Sequence, residues 1–137
     1  MAVIDELIRI ENDGTLSFGN YKLGQKSKLS EFEHNGDLYK VKTYSKITKL
    51  ERNGSFLYES VPGTSVFHFE QKENEISFQV AGEDTAQITL ELEAEKEYEI
   101  YKNDLFLGKM KTNLGGKLIF SVELSEDRRD LIKVVKL

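Results

Sequence analysis

The sequence of 137 residues contains no cysteine, no tryptophan, one proline and two histidines. The absence of cysteine excludes disulfides, thiolate metal ligands and cysteine nucleophiles. His34 and His68 lie far apart in the chain, so the close histidine pair that is typical of zinc sites is absent as well. We therefore expect no metal site and no other cofactor.

Targeting and nucleic-acid signals are also lacking. Asp5 and Glu6 stand where a secretory signal carries positive charge, and no apolar stretch is long enough for a signal or a membrane span. The net charge of −5 argues against nucleic acid, because phosphate binding depends on lysine and arginine. These features predict a cytoplasmic protein with no membrane or nucleic-acid partner.

No catalytic motif is present. The chain has neither a Gly-x-Ser-x-Gly elbow nor a phosphate loop, and Gly115-Gly116 is typical of a turn. Near Asn35-Gly36 the acids and histidine of "FEHNGD" could gather metal ligands, but alternation along a strand places His34 opposite its neighbouring glutamates. A solvated hairpin end explains this cluster better, and we expect the protein to be non-catalytic.

Alternation of apolar and polar residues dominates what is present. In "GKLIFSVEL" Leu118, Phe120, Val122 and Leu124 share one face, as in a half-buried strand. Turn residues recur at short intervals, and Asn35-Gly36 and Asn53-Gly54 are the strongest hairpin signals. Residues 101–124 are also expected to form a hairpin. The pattern predicts an all-β fold, an antiparallel β-sandwich or barrel-like arrangement of about ten to twelve short strands.

The length favours a single all-β domain over residues 1–137. Pro62 in "SVPGTS" lacks a backbone donor, which marks residues 61–64 as a possible internal seam between two groups of strands. At the N-terminus, "VIDELIRI" fits either a helix or a strand that begins near Leu7, and we favour the strand.

Charge is distributed unevenly along the chain. Residues 22–52 carry eight basic and four acidic side chains, whereas residues 70–104 carry three basic and eleven acidic ones. Segments of opposite sign can lie on solvated strand faces or meet between subunits. With no convergent set of catalytic residues, the sequence favours a self-associating interaction or structural protein, a homo-oligomer that would also bury its sheet edges.

The main alternative is a carbohydrate-binding module. Six tyrosines offer stacking surfaces, although tryptophan is absent. Tyr44 in "KTYSKITK" is the tyrosine most expected to be exposed, and Lys46 and Lys42 flank it. We take Tyr44, Lys46 and Lys42 as candidate binding residues for a carbohydrate or for an acidic ligand.

The stretches "DGTLSFGNYKL", "FEHNGDLYKVKTY", "ITKLERNG" and "YESVPGTSV" resemble a group of short, uncharacterised bacterial proteins that are sometimes labelled endosialidase. The resemblance implies a sialic-acid-related glycosidase as a further alternative. No catalytic motif of that group maps onto residues of this chain.

Overall fold

The computed structural model describes residues 3–137, and none of these residues is helical. They form thirteen strands, which all pair antiparallel. The strands are β1 (Ile8–Ile10), β2 (Leu16–Phe18), β3 (Ser27–His34), β4 (Asp37–Tyr44), β5 (Ile47–Arg52), β6 (Ser55–Val61), β7 (Ser65–Gln71), β8 (Glu75–Ala81), β9 (Ala86–Glu91), β10 (Glu97–Lys102), β11 (Leu105–Lys111), β12 (Lys117–Val122) and β13 (Asp130–Lys136).

The strands form a sandwich of two unequal sheets. The seven-stranded sheet has the order β1-β2-β7-β8-β13-β10-β11, and the six-stranded sheet has the order β12-β9-β6-β5-β4-β3. The predicted all-β class is confirmed, and of the two arrangements left open the structure is a sandwich rather than a closed barrel. Two strands of only three residues, β1 and β2, bring the number above the predicted range.

The core lies between the two sheets and follows from the alternation. Leu118, Phe120 and Val122 are buried, while Ile119 and Ser121 between them are exposed, as predicted. At the centre the ring of Tyr58 contacts aromatic rings from the facing sheet at edge-on angles. These rings belong to Phe18, Phe69 and Phe78.

Two predicted hairpins are confirmed, and a third prediction is wrong. Asn35-Gly36 joins β3 to β4 and Asn53-Gly54 joins β5 to β6, each with positive φ at both turn residues. Residues 101–124, by contrast, do not form one hairpin. Strand β11 pairs with β10 through the Asn103-Asp104 turn, and the chain then crosses to the other sheet to form β12. Glycine-rich turns permit both connections, so the turn signal alone did not distinguish them.

Residues 62–64 also lie at a crossing between the sheets. Strand β6 ends at Val61 in the six-stranded sheet, and β7 begins at Ser65 in the seven-stranded sheet. A Cβ atom at Gly63 would overlap the carbonyl oxygen of Tyr44, so only glycine fits there. The strand predicted to begin near Leu7 is present as β1. That residues 1–137 form a single domain stays a prediction.

Residues 3–137 contain no helix that is both long enough and apolar enough to cross a membrane.

Candidate functional site

The outer face of the six-stranded sheet carries a row of lysines. Lys28 on β3 lies directly opposite Lys42 on β4, and Lys42 lies directly opposite Lys49 on β5. Neighbouring strands are ~4.8 Å apart, so three lysine side chains leave the backbone at that spacing across the sheet. Like charges in directly opposed positions destabilise a sheet. Their presence therefore calls for a reason outside stability.

Alternation and a β-bulge together place these lysines on the outer face. On β4, Tyr39, Val41 and Thr43 are buried, which leaves Lys40 and Lys42 on the solvent side. On β3 the register shifts between Leu29 and Phe32, where Glu31 has a φ of 57°. This bulge turns Lys28 to the same side as Lys42.

A shallow depression of about 60 Å³ lies among these side chains. It is lined by Lys28, Lys40, Lys42, Lys49 and Glu51, and we call its four lysines the lysine face.

Within residues 3–137, Lys49 is the one lysine of this face that forms an ion pair, with Nζ 3.4 Å from Glu51 Oε2. Burial lowers the pKa of Lys42 below its ordinary value of 10.5, and the amines of Lys26, Lys49 and Lys28 lower it further. Glu59, which lies directly opposite Lys49 on β6, acts in the other direction and raises the pKa of Lys42 in part, so the net field at Lys42 is positive. An anionic group placed over the row would relieve this repulsion.

The structure brings together two of the three predicted binding residues. Tyr44 follows Lys42 by two positions on β4, so both lie on the outer face, and Tyr44 is half-buried. Tyr44 and Tyr101 are the two tyrosines that are not buried. Lys46 is exposed in the turn between β4 and β5 and does not line the depression. Sequence reasoning missed Lys28, Lys40 and Lys49, which reach the site through strand register.

The histidines hold loops in place. His34 Nε2 lies 3.0 Å from the carbonyl oxygen of Gly14, and His68 Nδ1 lies 3.1 Å from Asp13 Oδ2. His68 has a φ of 55° at a second bulge, between Phe67 and Glu70. In the described part of the chain no three histidine or acidic side chains are grouped as a metal site requires.

A larger cavity of about 300 Å³ lies beside His34, and several of its polar groups form hydrogen bonds, either with one another or with the neighbouring Asn53. Asn53 Nδ2 donates to Asp37 Oδ1 at 2.8 Å, and Arg52 donates to Gln71 Oε1 at 3.2 Å. These groups are engaged in structural contacts. The lysine face differs because three of its four charges have no ion-pair partner among residues 3–137.

The basic and acidic segments hardly neutralise each other within the described chain. Among residues 3–137, one ion pair joins residues 22–52 to residues 70–104, between Lys22 and Glu83 at 3.3 Å. The lysine face therefore remains available to anionic groups from another molecule. It supplies electrostatic attraction and hydrogen-bond donors.

Comparison with known proteins gives no relative of this chain: no protein family model, no curated protein and no solved structure matches it.

Proposed function

We propose that this chain is a non-catalytic, self-associating interaction protein that binds an acidic protein partner through its lysine face. The observation that supports the binding role is the direct opposition of Lys28, Lys42 and Lys49 across three neighbouring strands. A sheet gains nothing in stability from this arrangement, whereas a carboxylate-rich partner surface gains three closely spaced donors.

The flatness of the site favours a macromolecular partner. The depression is only about 60 Å³, far below the several hundred Å³ typical of small-molecule pockets. Electrostatic contacts of this kind steer association and fix orientation, and they weaken as salt screens the charges.

The test is binding of a synthetic polyglutamate peptide to the full chain, measured by isothermal titration at low and high ionic strength. We expect binding at low ionic strength that fades at high ionic strength. Lys42→Glu should weaken it about tenfold, which corresponds to about 1.4 kcal/mol.

The matched control is Lys133→Glu, which makes the same charge reversal on β13, where the residue faces Tyr101 and Ser77 rather than other lysines. This variant should bind polyglutamate as the unaltered chain does. Equal losses in the two variants would show a general charge effect and would remove the lysine face as a specific site.

A second candidate, an acidic carbohydrate, is supported by the position of Tyr44 on the same face as Lys42. An aromatic ring beside cationic groups can stack on a sugar while the lysines bind its carboxylates. A soluble acidic polysaccharide such as alginate serves as the probe in the same titration. If alginate binds more tightly than polyglutamate and Tyr44→Ala abolishes the difference, the carbohydrate function replaces the proposed one.

A further inference from the structure

One sheet has one strand more than the other, and the contacts at the two sides of the sandwich show that the additional strand is β11, at the edge of the seven-stranded sheet. At one side of the sandwich β1 contacts β3, so the edges of the two sheets meet there. At the other side Lys102 Nζ on β10 donates to the carbonyl oxygen of Glu123, just beyond the end of β12, at 2.8 Å. Strand β10 therefore lies opposite β12. Strand β11 overhangs, with no strand of the described chain facing it.

Exposure of apolar side chains confirms the overhang. Met110 pairs with the inward Tyr98, and Gly108 pairs with the inward Ile100. Tyr98 and Ile100 are 5% and 2% exposed, whereas Met110 is 39% exposed. The inner face of β11 thus continues the core surface of its sheet into solvent.

The edge of β12 lacks a partner as well. The N–H of Leu92 donates to the carbonyl oxygen of Gly116, so even-numbered residues bond to β9. The N–H and C=O groups of Ile119 and Ser121 consequently face the open edge. Within residues 3–137 these groups have no hydrogen-bond partner. β12 pairs regularly with β9 along its whole length, without a bulge.

Strand β11 extends beyond β12, which is the edge strand of the facing sheet, so this side of the sandwich has the shape of a step. The same surface on a second copy is complementary to it. Consider a two-fold axis that runs parallel to the strands, midway between the two sheets. Rotation about it places the seven-stranded sheet of the second copy in line with the six-stranded sheet of the first. It therefore brings β11 of one copy beside β12 of the other, and every strand keeps its direction. Because β11 and β12 run in opposite directions in the two facing sheets, β11 meets the partner's β12 antiparallel.

We propose that two copies join in this way into a dimer with two continuous thirteen-stranded sheets. The β11 of each copy hydrogen-bonds to the free edge of β12 in the other, and the inner faces of the two β11 strands pack together. This deepens the self-association in the proposed function and is independent of the lysine face. Each contact is made twice around a closed axis, so association at these edges stops at two copies.

Strands β11 and β12 carry three charged residues, all lysines, and two of them already form ion pairs. Lys109 on β11 already pairs with Glu97 at 3.8 Å, and Lys117 at the start of β12 pairs with Glu91 at 3.0 Å. The third, Lys111 at the end of β11, is exposed and has no ion-pair partner among residues 3–137. The contact is mainly backbone-mediated and apolar, and we expect salt to change it little.

The size of the joint sets its strength. Each copy contributes the seven residues of β11 and the six of β12, thirteen in all. Standard stable interfaces use about 20–30 residues a side. The dimer should therefore be reversible, with a dissociation constant in the micromolar range.

The test is sedimentation equilibrium of the full chain from low to high micromolar concentration, at low and high ionic strength. We expect a monomer–dimer equilibrium that salt hardly changes. Met110→Glu places a charge in the packed β11 faces and should give monomers throughout. Ser121→Pro removes an N–H that faces the open edge, where proline is tolerated by the fold, and should also abolish the dimer.

The matched control is Leu38→Glu, which alters a 47%-exposed leucine on β4 and should leave the dimer intact. Circular dichroism should show native strand content in all three variants. A chain that stays monomeric at high micromolar concentration, or a dimer that survives both Met110→Glu and Ser121→Pro, would overturn the proposed joint. A dimer that dissociates in salt and is lost in Lys42→Glu would do the same.

The two proposals fail separately. Met110→Glu should bind polyglutamate as the unaltered chain does, and Lys42→Glu should still form the dimer. A position check uses the absence of cysteine from the chain. Met110→Cys should be joined to its copy by a short bis-maleimide linker, whereas Leu38→Cys should not. Linking of both variants to the same extent would contradict the two-fold joint.

Discussion

Thr64 is the residue at which hydrogen bonding fixes the crossing from β6 to β7. Its Oγ1 lies 2.8 Å from both Tyr58 Oη and Ser60 Oγ. Its backbone N–H donates to Thr48 Oγ1 at 3.0 Å, and Thr48 Oγ1 donates to its carbonyl oxygen at 2.8 Å. All four residues are fully buried. Burial also raises the pKa of Tyr58 well above its ordinary value, so its hydroxyl stays protonated and able to donate.

Replacing Thr64 with valine should destabilise the fold by roughly 2 kcal/mol or more. The substitution keeps the shape of the side chain and removes the hydroxyl, which leaves two buried hydroxyls short of a partner at about 1–3 kcal/mol each. Urea unfolding followed by circular dichroism measures the change.

The control for this prediction is Thr89→Val, on the half-buried outer side of β9, where no side-chain hydrogen bond is lost in the described chain. Its unfolding midpoint should move little. If the two variants unfold at the same urea concentration, the Thr64 network does not stabilise the crossing.

The element that decided the candidate site is the bulge in β3. From the Asn35-Gly36 turn, His34 pairs with Asp37, and a regular ladder from that point would place Leu29 opposite Lys42. The bulge at Glu31 shifts the register by one residue and brings Lys28 there instead. The sequence indicated Lys42 as a candidate binding residue beside Tyr44. The sequence did not indicate the bulge, because glutamate has no preference for the positive φ that Glu31 adopts there.

The sequence predicted where strands lie better than it predicted which strands pair with each other. Alternation and turn residues located most strands, since burial of one face imposes a period of two on each of them. Which sheet a strand joins depends on contacts far along the chain, and β11 and β12 illustrate this. The Leu114–Lys117 turn suits either a hairpin or a crossing, so the step between the sheets was not visible in the sequence.

At the scale of β3, β4 and β5, Lys42→Gln should stabilise the fold at neutral pH and low salt. The lowered pKa of Lys42 means that its protonated form is less favourable in the folded chain than in the unfolded one. That cost is present below the folded pKa and disappears above the ordinary value of 10.5. A gain of about 0.2–1 kcal/mol is expected from removing one of three opposed charges.

Thermal unfolding at pH 7 and near pH 11 measures this gain. The gain should vanish at the higher pH and become smaller in high salt, because salt screens the repulsion between the lysines but not the cost of burial. Lys133→Gln, which faces Tyr101 and Ser77, should bring no comparable gain. A loss of stability in Lys42→Gln would show that the amine is already compensated. The opposed lysines would then carry no cost in stability, and the argument that the lysine face is a binding surface would fail.

At the scale of the whole molecule, the order of strands interleaves the two sheets. Residues before the crossing at 62–64 supply β1 and β2 to one sheet and β3 to β6 to the other, and residues after it supply strands to both. The pairs β2–β7 and β6–β9 join the two halves within each sheet. Neither half can therefore cover its own inner face, which argues for one cooperative unit over residues 1–137.

Fragments cut at this crossing, residues 1–63 and 64–137, should each fail to fold. The first would leave the inner faces of β4, β5 and β6 without the facing strands β7 and β8, and the second would leave β8 and β13 with only β9 and β12 opposite. Such exposure of apolar core surface removes the main stabilising contribution to folding.

Proton–nitrogen NMR spectra of the separate fragments should show narrow amide dispersion, whereas an equimolar mixture should regain part of the dispersion of the whole chain. The intact chain should unfold in a single transition that is the same by fluorescence and by circular dichroism. A well-dispersed spectrum and a cooperative transition for either fragment alone would instead make the seam a true domain boundary, and the mutual dependence of the two halves would be refuted.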